Sequence, residues 1–189
     1  VMEHEKTPGY IPCGSAVTSY ARYFTITAAQ KNYYGPDKPG FIYADTDSLH
    51  ISELKPEEII GVPEHPTAFL HWKNETKWDY AIFVRQKTYI EHITEADGEP
   101  VEPYYNVTCA GMPERSQNLL KRSLSDQHYN PDDPDDIEED YDEAEIRFMN
   151  THRDISQFRI HLQVPGCLKA KRIPGGIILN RGIYEMRPR

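Results

Sequence analysis

An α+β fold is predicted by three observations in this 189-residue chain. A helical apolar stripe lies near its start, two short β-type runs flank a charged bend, and a later stretch of β-branched and aromatic residues ends in a turn. Residues 1–14 carry Pro and Gly and read as extended. From Ser15 to Tyr33 the residues Val17, Tyr20, Ala21, Phe24 and Ala28 recur at three- and four-residue steps, one helical face with Ser15 as its N-cap. GPDKPG at 35–40 ends that helix. FIYA and SLHI, within 41–51, form a hairpin joined through Asp45-Thr46-Asp47. Residues 55–76 read as a short helix and loops broken by Pro63 and Pro66, and 80–94 as strand. ADGEP gives a turn, 101–109 a returning strand and 116–124 a short helix. Residues 145–164 mix helix and strand signals, and GGIIL and GIYEM flank Asn180-Arg181 as a closing hairpin.

Composition narrows the function classes. With 38% hydrophobic residues and 13 Tyr the chain can bury a core. No apolar run approaches the roughly 20 residues of a membrane helix, and no apolar N-terminal segment reads as a secretory signal. Cys13, Cys109 and Cys167 are widely spaced with no CxxC, against a disulfide framework or zinc site and for a reducing compartment. The eight histidines form no His-x-x-x-His pair. The net charge of −9 argues against nucleic acid until its distribution is read. Residues 126–145 hold 11 acids and no Lys or Arg, so elsewhere 19 acids face 21 bases. Residues 146–189 hold 9 bases against 2 acids. The acidic run reads as a solvated, disordered loop, whereas the basic tail offers local charge for phosphate.

The chemistry concentrates in Asp45 and Asp47. An ionised carboxylate withdrawn from water needs a cation, a hydrogen-bond partner or a shifted pKa. Residues two apart on a strand face the same side, so the pair is expected to converge while Thr46 points away. Two converging carboxylates repel unless a divalent cation sits between them. Oxygen donors suit Mg²⁺, which binds one or two carboxylates plus substrate phosphates. Asp-x-Asp also serves ordinary Asp turns and the sites of nucleotide-sugar glycosyltransferases.

The longer string Tyr43-Ala44-Asp45-Thr46-Asp47-Ser48 resembles the YxDTDS motif of family B DNA polymerases, carried on their palm hairpin. RQKTYI at 85–90 resembles the family's KxY motif, with Lys87 and Tyr89 expected on one strand face. TSYAR at 18–22 resembles the Tx2AR template-binding variant of the protein-primed branch, and Thr18 and Arg22, four apart, share a helix face. YARYFTITAAQ, NVTCAGM and PGGIIL are similar to the C-terminal part of protein-primed polymerases of small linear-genome bacteriophages, leaving 126–145 as an insertion.

The resemblance implies an antiparallel palm sheet with a packed helix, from residue 1 to 106, followed by a small thumb from 107 to 189. It implies DNA-directed addition of nucleotides to a primer 3′-hydroxyl or a terminal-protein hydroxyl, assisted by two Mg²⁺ ions. Asp47 would be a direct metal ligand and Asp45 an outer or alternate one. Tyr43 would lie beside the incoming dNTP, Lys87 and Tyr89 would hold the primer end, and Thr18 and Arg22 would touch DNA backbone. Lys169, Lys171 and Arg172 would neutralise phosphates of the primer-template duplex. The partners implied are primer-template DNA, dNTP and a terminal priming protein, with no membrane, in the cytoplasm of a bacterial host. The opening on Val1, and the lack of DxxSLYP-like, KxxxNSxYG-like and exonuclease motifs, are expected of a piece of a longer protein. Such a piece alone is expected to be inactive. Two other readings stay open: a DxD glycosyltransferase, which leaves RQKTYI, TSYAR and the basic tail unexplained, and a non-catalytic DNA-clamping module.

Overall fold

The first helix, α1 (Ile11–Lys31), begins at Ile11 rather than Ser15. Pro12 lies in its first turn, where a missing N–H costs nothing, and Tyr10 caps it without a side-chain bond. Ser15 sits inside the helix, its carbonyl accepting from the Thr18 hydroxyl. The expected extended start is therefore helical from residue 11, and residues 1–8 lie outside the described residues. A computed structural model describes residues 9–125, 127–151 and 154–188. These form two compact units, one reaching Lys73 and one starting at Asn74.

In the first unit only the C-terminal half of α1 is covered. Thr25, Ala28 and Ala29 are buried and Phe24 stacks on Trp72 at 5.3 Å. Val17, Tyr20 and Ala21, expected in the buried stripe, are exposed, because none of the described elements of the unit packs on the first turns. Asn32 ends the helix and ties it to a loop. Its buried amide donates to the carbonyls of Ala28 and Ile60 and accepts from Ile60 N–H at 2.9 Å. Phe41 N–H donates to Asn32 O at 2.8 Å and starts the hairpin β1 (Gly40–Asp45) and β2 (Ser48–Ser52). Gly40 is required there: its φ is +126°, and a Cβ would lie 2.2 Å from Asn32 O.

The second unit opens with an antiparallel meander, β3 (Thr76–Arg85), β4 (Thr88–Ala96) and β5 (Glu99–Cys109), with β4 central. Asp97 and Gly98, both at positive φ, close the second hairpin as an Asp-Gly turn does. The expected subdomain boundary at 106/107 falls inside β5. The helix α2 (Glu114–Leu124) buries Leu119, Leu120 and Leu124 against Ile90 and Val107 of the meander. Two shorter helices follow, α3 (Pro134–Glu138) and α4 (Glu143–Met149), the latter adding Phe148 and Met149 to the same core. Burying such side chains is worth about 1.5–3 kcal/mol each, which roots α2 and α4 on the sheet.

The acidic stretch is thus not a disordered loop over its described part, 127–145. Asp136, 5% exposed, accepts from Nη1 and Nη2 of Arg122 at 2.5 and 3.1 Å and from Asn130 N–H. Glu145 is equally buried against Arg115. Composition registers the carboxylates but not the arginines on α2 that neutralise them. Residue 126 lies outside the described residues.

The chain ends in a ribbon, β6 (Gln163–Ile173) and β7 (Gly176–Glu185), turning at Pro174-Gly175. The expected hairpin about Asn180-Arg181 is not formed. Both residues sit mid-strand, opposite Lys169 and Leu168, because Pro-Gly offers the turn that Asn-Arg does not. At the ribbon root the Tyr184 hydroxyl donates to Ala110 O, and burial beside Cys109 pushes its pKa up to about 12.

Candidate metal-binding hairpin and nucleic-acid interface

The hairpin of β1 and β2 pairs Tyr43 with His50, Ala44 with Leu49 and Asp45 with Ser48, leaving Thr46-Asp47 as a two-residue turn. Asp45 is the last strand residue and half-buried, whereas Asp47 is in the turn and exposed. Asp47 therefore does not lie on the strand face of Asp45, and strand alternation does not bring the two together; both belong to the same hairpin tip. Nor does Thr46 point away from the pair, since its hydroxyl donates to Asp45 Oδ1 at 3.2 Å. Thr46 has φ +52°, unusual for a β-branched residue and costing on the order of 1–3 kcal/mol. The conformation is held from two sides. Thr25 of α1 donates to Thr46 O at 3.2 Å, and the Ser48 hydroxyl donates to Asp45 O at 3.0 Å. Strain retained at this turn is consistent with a site whose geometry is fixed in advance.

Two hard carboxylates at one tip fit Mg²⁺ in donor type. Asp47 has no ion-pair partner among the described residues. No group of three or more His, Cys, Asp or Glu able to hold a metal occurs among them, so the pair is at most part of a coordination sphere. Tyr43 lies half-buried on β1, its ring 5.5 Å from that of His50. On α1, the Thr18 hydroxyl donates back to Gly14 O and Ser15 O, while Arg22 is exposed with no partner among the described residues. His65 and His71, six apart in sequence, meet edge-to-face at 5.7 Å, but each Nδ1 bonds local backbone. His4 and His152 lie outside the described residues.

In the second unit, the KxY segment is also a hairpin tip. Arg85 pairs with Thr88, so Lys87 occupies the turn at φ +53° and not the strand face expected beside Tyr89. Its carbonyl accepts from Ala110 N–H at 2.7 Å, which fixes the turn and leaves the side chain exposed. Tyr89 is on β4, half-buried and stacked on Phe83 at 5.3 Å. The ribbon presents Lys169, Lys171 and Arg172, all exposed. Its unbroken register from Cys167 to Ile173 puts Lys169 and Lys171 on one face and Arg172 on the other. They do not form a single basic stripe.

Sequence reasoning missed the charged cluster of Arg115, Glu145 and Arg181. Burial pushes the Glu145 carboxyl up, but hydrogen bonds from Arg115 and from Asp142 N–H outweigh it and hold the carboxyl below its usual range. The Arg122 guanidinium holds Asp136 low in the same way. A readable signal existed in Asp142-x-x-Glu145, a capping box that the structure forms. No helix among the described residues is long and apolar enough to cross a membrane.

No family model matches the chain. Over 123 residues, 60% of its length, it is 38% identical to the DNA polymerase of Bacillus phage phi29, of which that segment is 20%. It is 39% identical over 120 residues to the DNA polymerase of Bacillus phage B103 and 37% over 110 residues to that of Streptococcus phage Cp-1. Among solved structures, phi29 DNA polymerase complexed with primer-template DNA superposes with a TM-score of 0.63 at 27% identity, covering 98% of this chain and 28% of that one. An orthorhombic crystal form of the same polymerase gives a TM-score of 0.62 at 25% identity, covering 99% and 28%. The chain spans about a fifth of the length of the curated relatives it matches. With its α+β architecture and antiparallel sheets, this chain is a homologue of phi29-type DNA polymerases over a partial region of those enzymes.

Proposed function

We propose that this chain is the palm-and-thumb portion of a DNA-directed DNA polymerase that extends a primer 3′-hydroxyl or a terminal-protein hydroxyl. The observation that carries the reading is the Asp45-Thr46-Asp47 tip, two carboxylates on a strained turn in a chain that is similar over part of its length to phi29-type polymerases. Residues up to 106 would then contribute palm and those from 107 thumb. The comparisons lend nothing to a glycosyltransferase or to a non-catalytic module.

Asp47, with Asp45 as an outer or alternate ligand, would hold Mg²⁺. Such an ion, if bound there, would supply a lowered pKa for the attacking hydroxyl and an offset to the charge on the triphosphate. Asp45 is oriented by the Thr46 hydroxyl and Asp47 is left open to solvent and substrate. Tyr43, half-buried on β1, would border the incoming nucleotide. Lys87, exposed at the hairpin tip, would pair with a primer phosphate, and Tyr89, stiffened by Phe83, would pack on the terminal sugar. Arg22 would meet template backbone, with the Thr18 hydroxyl beside it able to accept but already donating. Lys169 and Lys171 would neutralise duplex phosphates from one ribbon face and Arg172 from the other.

Primer extension tests this reading. The 189-residue chain alone, with Mg²⁺ and nucleotides, is expected to give no more product than its Asp47→Asn variant. Fused behind the matching upstream region of a phi29-type polymerase, it is expected to extend, and Asp47→Asn to abolish extension while primer-template binding persists. Extension by the isolated chain would sink the fragment reading. Undiminished extension by the fused Asp47→Asn variant would sink the assignment of the site.

A further inference from the structure

The acidic segment spends its charge inside the second unit. Arg181 lies on β7 opposite Leu168, and both terminal nitrogens of its guanidinium are engaged. Nη2 donates to Asp140 Oδ2 at 2.8 Å and to Asp140 O at 3.2 Å, and Nη1 to Asp140 O at 3.2 Å and Glu145 Oε2 at 3.3 Å. Asp142 Oδ2 stands 3.6 Å away. Glu145 also accepts from Arg115 Nε and Nη2, at 2.7 and 2.9 Å. One buried carboxylate thus joins a guanidinium from α2 to one from β7. Two cations this close repel unless further anions offset them, and Asp140 and Asp142 supply these. Asp140 adopts φ +46°, and both its carbonyl and its carboxylate meet Arg181.

The other basic residues of the ribbon behave differently. Lys169, Lys171 and Arg172 have no ion-pair partner among the described residues. The ribbon therefore divides its cations, three left open and one drawn into its own unit. A two-stranded ribbon is marginal by itself and needs fixing at its root. Beyond Cys167 it is almost wholly exposed, so packing does not supply that fixation there.

We infer that residues 139–145 brace the β6–β7 ribbon, with Arg181 as the positioning residue they grip, so that Lys169, Lys171 and Arg172 are presented at a fixed angle. The consequence for DNA rests on the proposed polymerase reading; the brace itself does not. The insertion is then a support for the thumb and not a surface for a partner.

The test measures amide hydrogen exchange across 168–172 and 177–181 in the 189-residue chain. Wild type is compared with Arg181→Ala, Arg181→Lys, Asp140→Ala and the double alanine variant, alongside duplex-DNA affinity. Arg181 and Asp140 side chains are 44% and 90% exposed, so the variants keep the fold, which thermal unfolding checks. Each single alanine is expected to speed ribbon exchange about fivefold or more relative to β3–β5, the double to add nothing, and lysine to restore part. Duplex affinity falls with either alanine. Unchanged ribbon exchange in Asp140→Ala overturns the inference. So does tighter DNA binding by that variant with weaker binding by Arg181→Ala, which would make Arg181 a phosphate ligand held back by acid. Faster exchange with unaltered DNA affinity would leave the brace standing and remove the DNA-gripping role of the ribbon.

Discussion

Changing Glu145 to glutamine probes the charged cluster with an isosteric substitution. The Glu145 side chain is 1% exposed and accepts from Arg115 twice, from Asp142 N–H and from Arg181. Removing one partner of a fully buried ion pair costs about 3–5 kcal/mol. Arg115 is 34% exposed and keeps the carbonyls of Glu139 and Asp140, so roughly half of that, about 2 kcal/mol, applies here. The weakened capping box adds up to about 1 kcal/mol. For a unit of this size a total of about 2–3 kcal/mol lowers Tm by about 8–12 °C. The assay is calorimetry at neutral and acid pH, with Glu143→Gln as an exposed control. The folded-state pKa of Glu145 is depressed, so its contribution is full above the ordinary carboxylate range and is lost as pH falls through the lower folded value. Glu145→Gln should therefore flatten part of the acid destabilisation, leaving the share due to Asp136. A Tm within about 2 °C of wild type, or an unaltered acid limb, would refute the assignment of Glu145 as the pivot of this cluster.

Gly40→Ala is expected to destabilise the first unit by about 2 kcal/mol or more, read from urea unfolding, since its Cβ would meet Asn32 O at φ +126°. Asn32→Ala should cost about 2–3 kcal/mol in the same assay, because it strands both backbone groups of Ile60 and the Ala28 carbonyl. Lys171→Ala should leave Tm within about 1 °C but reduce the slope of log affinity for duplex DNA against log salt by about 0.9, and an unchanged slope would remove Lys171 from the DNA contact.

Legibility in the sequence followed the range of the interactions. The Asp45-Thr46-Asp47 hairpin, the Asp97-Gly98 turn and the α2 helix were readable because their signals are local. The start of α1 was misplaced because Ser15 outranks Tyr10 as a cap, while Pro12 had already marked the first turn. Lys87 was read as strand because lysine gives no warning of positive φ; the residues that impose it are the Arg85–Thr88 pair and Ala110. The order of 127–145 was invisible because its cations, Arg115, Arg122 and Arg181, lie outside the acidic run. The DxD motif was found by string, but its turn geometry, with Asp47 off the strand, needed the structure.

The two-stranded ribbon carries a practical consequence. Among the described residues neither β6 nor β7 has a second neighbour, and Leu168, Ile177 and Leu179 are each more than half exposed. Unpaired edges bearing aliphatic side chains invite self-association, and lysines and arginines on such edges act as gatekeepers against it. Neutralising Lys169, Lys171 and Arg172 together would thus strip colloidal protection at the same stroke as ligand affinity, and monodispersity must be checked before any loss of binding is credited to missing phosphate contacts.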